Sequence, residues 1–159
     1  MRVDVRAMAP GESATVELDE SIALQSDEQP VDAQASGTLR VDRTHRGVLI
    51  RGRVRAQVPL VCSRCLGPFQ ATLGAEVEEE FSLDPPAADA GGELSAEDFV
   101  SWVGPGHEVD LTEIVRQNLQ MNVPMAPVHA KDCRGLCPIC GANWNERECE
   151  HLGALGLGI

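Results

Sequence analysis

Two runs of alternating apolar and polar residues constrain the fold of this chain more than any other feature. In the first run, 48–61, alternate positions are apolar and three of the positions between them are arginine. The second run, 70–83, follows Gly67 and Pro68 and sets apolar positions against a series of glutamates. A period of two is typical of strands with one buried face. The two runs therefore predict an antiparallel hairpin whose tip lies near Gly67.

The charges of the two runs predict the register of this hairpin. The residue numbers of antiparallel partners have a constant sum, and a sum of 131 sets arginines opposite glutamates on one face and apolar residues opposite each other on the other face. A slip of one residue would lose these pairs. This register neutralises the arginine stripe with the chain's own glutamates, and it places the turn between Cys65 and Leu66. The predicted pairs are Arg55 with Glu76, Arg53 with Glu78, Arg51 with Glu80, Val58 with Leu73, Val54 with Val77 and Ile50 with Phe81.

An earlier strand and a helix extend the predicted sheet. A strand at 37–42 can pair with the first run through the loop 43–47. A helix is expected to begin after Asp110, whose carboxylate can cap it while Glu113 occupies its third position, and Pro124 ends it. Its apolar residues share one face, which would cover the sheet. They are Leu111, Ile114, Val115, Leu119 and Val123.

These elements predict an α+β fold: an antiparallel β meander covered by one or two helices, with a C-terminal zinc-knuckle lobe. The 159 residues fit a single domain, 1–159, in which the metal-binding lobe occupies 124–151. The segment 84–92, DPPAADAGG, combines a proline pair with small residues and is predicted to be a flexible excursion. A short helix is expected after Ser95.

Cysteine and histidine positions predict two metal sites. Cys137-Pro-Ile-Cys140-Gly is a zinc-knuckle sequence, and Cys149 and His151 can return to it from a short loop. The first CxxC pair lies at the hairpin tip, where two thiolates can converge on one ion. Zn²⁺ in structural sites takes four Cys or His ligands. We therefore assign site one to Cys137, Cys140, Cys149 and His151, and site two to Cys62, Cys65, His129 and Cys133.

Other uses of the cysteines remain as alternatives. One metal could be bound by Cys133, Cys137, Cys140 and Cys149, or by the two CxxC pairs together. The first three of these cysteines also have the spacing of an iron–sulfur site in radical SAM enzymes, but too little chain follows for the barrel of such an enzyme. The hairpin position of the first CxxC pair lacks the helix N-terminus that lowers thiol pKa values in redox pairs. No Ser-His-Asp order, Walker loop or GxGxxG occurs. We predict zinc and no catalytic residues.

The charge of the chain limits its partners. With 13 Lys and Arg against 25 Asp and Glu, the net charge is −12, which opposes binding to bare nucleic acid. No Lys or Arg occurs in 66–115, while twelve acidic residues lie between Glu76 and Glu113. This region suits a basic protein partner.

The expected location is the cytoplasm. The N-terminus has no apolar segment for secretion, so a reducing compartment and free thiols are expected. No apolar stretch reaches the length of about 18 residues that a membrane-spanning helix needs.

Three motifs in this order resemble the YceD family, the large ribosomal RNA subunit accumulation proteins. They are VPLVCSRCLGPF at 58–69, VDLTEIVRQNLQMNV at 109–123, and the segment 124–151 with CRGLCPICGANWN at its centre. The resemblance covers roughly 37–151. It implies a non-enzymatic cytoplasmic or organellar protein that supports accumulation of large-subunit ribosomal RNA. In many members of that family, cysteines occupy the positions of His129 and His151, and either residue type can bind zinc.

The resemblance also makes the expected partners specific. Because the charge of the chain opposes bare RNA, we expect a basic ribosomal protein or assembly factor to dock on the acidic region between Glu76 and Glu113. The alternative is direct contact with ribosomal RNA near the metal lobe, through Arg43, Arg46, Lys131 and Arg134.

Overall fold

The computed structural model describes residues 1–25, 30–85 and 100–154. A 3-10 turn occupies Val5–Ala7. The short helix predicted after Ser95, and most of the predicted excursion at 84–92, lie outside the described residues. The strands are β1 Arg2–Asp4, β2 Ser13–Gln25, β3 Pro30–Arg43, β4 Gly47–Val61, β5 Pro68–Ser82, β6 Ser101–Trp102 and β7 Glu108–Asp110; the helices are α1 Leu111–Met121 and α2 His151–Ala154.

The main sheet is a meander with the strand order β2-β3-β4-β5-β6. The first four of these strands pair antiparallel, and the two-residue β6 runs parallel to β5. A second small sheet joins β1 to β7 immediately before α1. The predicted class, an antiparallel meander covered by helix with a C-terminal Cys/His lobe, is confirmed. The strand predicted at 37–42 is the end of the longer β3.

The alternating sequence pattern decides which face of the sheet is buried. Along β4 every second residue from Val48 to Leu60 is buried or nearly so, and the arginines between them are exposed. The core continues across the neighbouring strands through Leu39 and Val77, which are almost fully buried. Because these residues all point to one side, the sheet has one apolar face and one polar face.

Helix α1 covers the apolar face, as its sequence predicts. The Asp110 carboxylate accepts a hydrogen bond from the Glu113 N–H at 3.3 Å, which caps the helix. The helix ends at Met121, three residues before Pro124, and the N–H of Asn122 bonds back to the carbonyl of Leu119. Its buried residues are Leu111, Ile114, Val115, Asn118 and Leu119. Val123 lies beyond the helix but still packs partly against the core.

The predicted hairpin register is wrong by two residues. Partner numbers in β4 and β5 sum to 129, so Arg53 pairs with Glu76 and not with Glu78, and Arg55 lies opposite Gly74. A shift of two residues leaves every side chain on its predicted face, so alternation cannot detect it. The other predicted pairs change likewise: Arg51 lies opposite Glu78, Ile50 opposite Glu79, Val54 opposite Ala75, and Val58 opposite Ala71.

The conformation of the hairpin tip sets this register. The Cys62 N–H donates to the Gly67 carbonyl at 2.9 Å, and the Leu66 N–H donates to the Cys62 carbonyl at 2.8 Å. Leu66 has a φ of 56°, in the left-handed region that a non-glycine residue enters only in a tight turn. The midpoint of the turn therefore falls between Arg64 and Cys65, one residue before the predicted point. Both thiols of the first CxxC pair still lie at the tip.

Candidate metal centre

Site two forms where the hairpin tip meets the segment that follows α1. The ligand atoms of Cys62, Cys65, His129 and Cys133 lie within 4.8 Å of one another. The Cys62 and Cys133 sulfurs are 3.8 Å apart, and the Cys65 sulfur is 3.5 Å from Nδ1 of His129. The three cysteines are buried, and Phe69 contacts the His129 ring edge-on.

Backbone hydrogen bonds join the tip to the C-terminal lobe around this site. Ser63 donates from its N–H and its hydroxyl to the Pro127 carbonyl, at 2.8 and 3.0 Å. The Arg64 guanidinium donates to the carbonyls of Lys131 and Cys133 at 3.2 and 3.1 Å. The Arg64 carbonyl accepts from the Leu136 N–H at 3.1 Å. The site therefore sits within a set of contacts that fix the lobe on the tip.

The environment of Cys62 favours a thiolate. Burial raises the pKa of this thiol, but hydrogen bonds from the backbone N–H groups of His129 and Cys65, together with the His129 ring, lower the pKa to about 5. At Cys65 the Gly67 N–H lowers the pKa, but burial and the neighbouring thiols of Cys62 and Cys133 raise it overall. Closely packed thiols cannot all ionise without a cation, because like charges disfavour ionisation. A dication would remove this conflict.

Site one lies within the C-terminal lobe. The ligand atoms of Cys137, Cys140, Cys149 and His151 also lie within 4.8 Å of one another. The Cys137 N–H donates to the Ala142 carbonyl and the Gly141 N–H donates to the Cys137 carbonyl, at 2.8 and 2.9 Å. Gly141 has a φ of 71°, which the tight knuckle turn requires.

Trp144 supports the second half of site one. Its indole N–H donates to the Cys149 sulfur at 3.2 Å, and its side chain is only 6% exposed. This hydrogen bond is the main reason that the pKa of Cys149 falls to about 6, because burial acts in the opposite direction. The Ala142 N–H lowers the pKa of Cys140, but the Cys137 thiol and burial raise it overall.

Asn145 connects the two sites. Its side-chain N–H₂ donates to the Cys133 sulfur of site two at 3.5 Å, while its amide oxygen accepts from the Arg134 N–H at 2.8 Å. Asn145 belongs to the loop between Cys140 and Cys149 of site one. A residue placed by the fold of one site thus orients a ligand of the other.

Both groups fit a tetrahedral ion with sulfur and nitrogen ligands. Zinc bonds are about 2.3 Å long to sulfur and about 2.0–2.1 Å long to nitrogen. At a tetrahedral angle these bond lengths place two sulfur ligands about 3.8 Å apart, and a sulfur and a nitrogen ligand about 3.5 Å apart. The measured distances in site two, 3.8 and 3.5 Å, agree with this geometry. In site one, Nδ1 of His151 is buried and has no hydrogen-bond partner among the described residues. An ion would satisfy that nitrogen. All six cysteines are free thiols.

The comparison with known proteins identifies the family. The family model described as large ribosomal RNA subunit accumulation protein YceD matches residues 50–154. The chain belongs to the YceD family. All eight Cys and His residues of the two sites lie within the match, whereas β2 and β3 precede it.

Relatives carry the YceD description in bacteria and in chloroplasts. The protein of that name from Haemophilus influenzae is 31% identical over 105 residues, which are 64% of this chain and 56% of the relative. A chloroplastic YCED homolog of Arabidopsis thaliana is 24% identical over 136 residues, covering 69% of this chain and 41% of the relative. An uncharacterized protein of Mycobacterium tuberculosis is 35% identical over 103 residues, covering 65% and 48%. The chain thus spans about half the length of the curated relatives it matches. No solved structure matches it.

The cations considered for RNA contact do not form one patch in this YceD protein. Arg43 and Arg46 flank the loop before β4, whereas Lys131 and Arg134 lie in the lobe beyond the other end of β4. β4 has 15 residues, so roughly 45 Å of strand separates the two pairs. Their predicted grouping near the metal lobe is therefore wrong. Arg134 also forms an ion pair with Glu148 at 3.3 Å, and Arg43 donates to the carbonyls of Thr44 and Gly47.

Several residues of the site escape sequence reasoning. Arg64, Trp144 and Asn145 act through hydrogen bonds to carbonyls or thiols that are brought close by folding. Their only sequence signal is position, because each lies between or next to predicted ligands.

Among the described residues, no helix has both the length and the apolar character that a membrane span requires.

Proposed function

We propose that this protein is a non-enzymatic, zinc-binding cytoplasmic factor that supports accumulation of large-subunit ribosomal RNA. It acts as an acidic adaptor for a basic ribosomal protein or assembly factor. Zinc in site two braces the C-terminal lobe against the hairpin tip of the sheet, and zinc in site one holds the lobe itself together. The ribosomal role follows from membership of the YceD family, whose named relatives carry that description.

The observation that carries the zinc proposal is the division of eight ligands into two groups of four. Site one would hold its ion with Cys137, Cys140, Cys149 and His151, and site two with Cys62, Cys65, His129 and Cys133. Sulfur and imidazole ligands in closed tetrahedral sets are typical of structural zinc. When bound, zinc supplies charge neutralisation and cross-linking, and a closed set leaves no position for a substrate.

Charge supports the adaptor role. The net charge of −12 opposes a polyanion and attracts a cationic protein surface. On the polar face of the sheet, Glu78 and Glu80 of β5 are exposed and form no ion pair among the described residues. Two arginines of the same face already form ion pairs with acidic residues of this chain: Arg53 with Glu76 at 3.1 Å, and Arg51 with Asp42 at 3.1 Å. This face therefore offers excess negative charge.

Metal analysis tests the zinc proposal directly. Protein purified without a chelator should contain two zinc ions per chain. Replacing Cys137 and Cys140 with serine should leave one, and replacing Cys62 and Cys65 should also leave one. Iron with visible absorbance would contradict the proposal.

Salt dependence tests the adaptor against direct RNA binding. A protein that neutralises several phosphates loses RNA affinity steeply as salt rises. We expect no measurable binding to large-subunit ribosomal RNA fragments near 150 mM salt, and we expect retention of basic ribosomal proteins on the immobilised full chain. Tight RNA binding with a steep negative salt slope would overturn the adaptor role and favour the direct alternative.

A further inference from the structure

The outer edge of β2 presents unpaired backbone. Within the described residues, β2 is an edge strand and pairs only with β3. At Gln25 both backbone groups point away from β3 and bond instead to the Gln120 side-chain amide, at 2.7 Å for the N–H and 2.9 Å for the carbonyl. Backbone direction alternates along an antiparallel strand. Apart from Ser13, which begins the strand, the N–H and C=O groups that share this outward direction belong to Thr15, Glu17, Asp19, Ser21 and Ala23.

Among the described residues, the outward backbone groups of these five have no partner. All five are exposed, and no backbone hydrogen bond from the described part of the chain reaches them on the outer side. The pairing of β2 with β3 continues without a bulge from Ser13 to Gln25. Edge strands are commonly protected by charged side chains, proline or a bulge. β2 has no proline or bulge, and its charged side chains are all acidic, so the edge is protected against an acidic strand but remains a template for a basic one.

Charge determines which strand the edge can accept. Between Arg6 and Arg40 the sequence has no Lys or Arg and seven acidic residues. Glu17 and Asp19 stand on the exposed face beside the free backbone groups. A second copy of β2 would bring acidic residues next to acidic residues, which is destabilising. RNA would be repelled for the same reason. A strand rich in Lys or Arg meets complementary charge.

An apolar groove continues the edge beyond Gln25. The groove has a volume of about 410 Å³ and lies between the hairpin tip, the end of α1 and residues 123–127. Its lining includes Leu66 and Met125, which are 64% and 97% exposed. Apolar side chains this exposed and grouped around a groove mark an interaction surface.

We propose that the outer edge of β2 binds an extended, Lys- or Arg-rich segment of a partner protein as an added strand, with an apolar residue of the same segment in the groove. Strand addition uses main-chain hydrogen bonds for affinity and alternate side chains for specificity. The proposal rests on the adaptor function and places the docking surface at β2, outside the residues that the YceD family model matches.

Titration with a defined peptide tests the edge. The probe is a ten-residue peptide of alternating Lys and Val, added to the zinc-loaded full chain in a calorimeter. The double variant E17K/D19K should bind it about tenfold more weakly than the wild type, because two attractive charges become repulsive. The matched control is E78K/E80K, which makes the same charge change on the exposed face of β5. It should weaken binding less than about twofold.

The outcomes separate this proposal from the adaptor function. If E78K/E80K abolishes binding and E17K/D19K does not, the edge proposal fails, while an adaptor that docks through the 76–113 region stands. If the peptide does not bind the wild type although basic ribosomal proteins are retained, the edge proposal again fails alone. If the wild type neither binds the peptide nor retains basic ribosomal proteins, the edge proposal and the adaptor function both fail.

Hydrogen exchange tests the strand itself. On peptide binding, the amides of Glu17, Asp19 and Ser21 should become protected, whereas purely electrostatic contact would leave their exchange unchanged and overturn strand addition. Two longer peptides carry one extra leucine each, at the N-terminus or at the C-terminus. Only the peptide whose leucine reaches the groove should bind more tightly than the original. The neutral variant M125S should remove that gain without changing affinity for the original peptide, and an unchanged gain would overturn the role of the groove.

Discussion

At Gly135 the chain has a conformation and a close contact that suit glycine. Its φ is 75°, and a Cβ built at this position would lie 3.0 Å from the Arg64 carbonyl oxygen. The Arg64 carbonyl accepts a hydrogen bond from the Leu136 backbone N–H, and the Gly135 carbonyl accepts one from the Trp144 backbone N–H at 3.0 Å. A single residue thus lies between the hairpin tip and both candidate metal sites.

We expect Gly135→Ala to lower the free energy of unfolding of the metal-loaded protein by about 1–3 kcal/mol, because alanine is strained at this φ and crowds Arg64. Urea denaturation measures the change. Gly74→Ala is the matched control, since nothing lies within 4 Å of its built Cβ and its backbone is not left-handed. It should be neutral or slightly stabilising. Equal losses for both variants would contradict the role assigned to Gly135.

Asn145 donates a hydrogen bond to the sulfur of Cys133, a ligand in the proposed zinc site two. Asn145→Ala removes the hydrogen bond to Cys133, so site two should lose affinity for zinc by about tenfold or more, while site one loses less. Competition with a chromogenic chelator resolves the two ions. Gln57→Ala removes an exposed side-chain amide on β4, remote from both sites, and should change neither affinity. Loss of affinity at site one alone would count against the assignment.

At the scale of elements, one carboxylate joins three strands. Asp42 of β3 accepts from the Ser13 hydroxyl of β2, from Arg40 of its own strand at 2.7 Å, and from Arg51 of β4 at 3.1 Å. Its side chain is only 16% exposed. The Ser13 hydroxyl, followed by the two guanidinium groups, holds the pKa of this carboxyl well below its usual value.

The lowered pKa of Asp42 predicts a pH dependence. Because the folded pKa lies below the unfolded value of about 3.9, this contribution to stability is present above that pH and is lost as pH falls through the folded pKa. Asp42→Asn should therefore cost about 1 kcal/mol at pH 7 and progressively less below about pH 4. Denaturation of wild type and variant at both pH values measures the difference. Glu17→Gln, an exposed acid of β2 without an ion pair among the described residues, should show neither effect.

At the scale of the whole molecule, two kinds of core hold the protein together. The sheet and α1 share a large aliphatic cluster that contains no metal ligand. The lobe has two small clusters, one built mainly of cysteines and one of Cys137, Ala142 and Trp144. Burial of so little apolar surface cannot offset the entropy of ordering the lobe. We expect its order to depend on the proposed zinc ions and on the contacts with Arg64.

Removal of metal should therefore release the lobe and leave the sheet. After treatment with a strong chelator, hydrogen exchange should become fast in 124–154, while the amides shared by β3, β4 and β5 stay protected. Returning zinc should restore protection of the lobe, and returning magnesium should not. Global unfolding on chelation would contradict this division.

Sequence alone determined the faces of the strands and the capped helix. Both follow from local spacing: a period of two, and a carboxylate before an apolar helix face. The division of eight Cys and His residues into two metal sites stays a prediction; the fold brings the ligand atoms of each predicted group within 4.8 Å of one another, including residues of site two that are far apart in sequence. Only the tertiary structure decided the hairpin register, because slips by two residues preserve every face and the six-residue tip sets the choice. It also decided which arginines are neutralised, that the two pairs of cations lie at opposite ends of β4, and that Asn145 links the sites. Those facts depend on contacts between distant segments, which spacing along one chain does not specify.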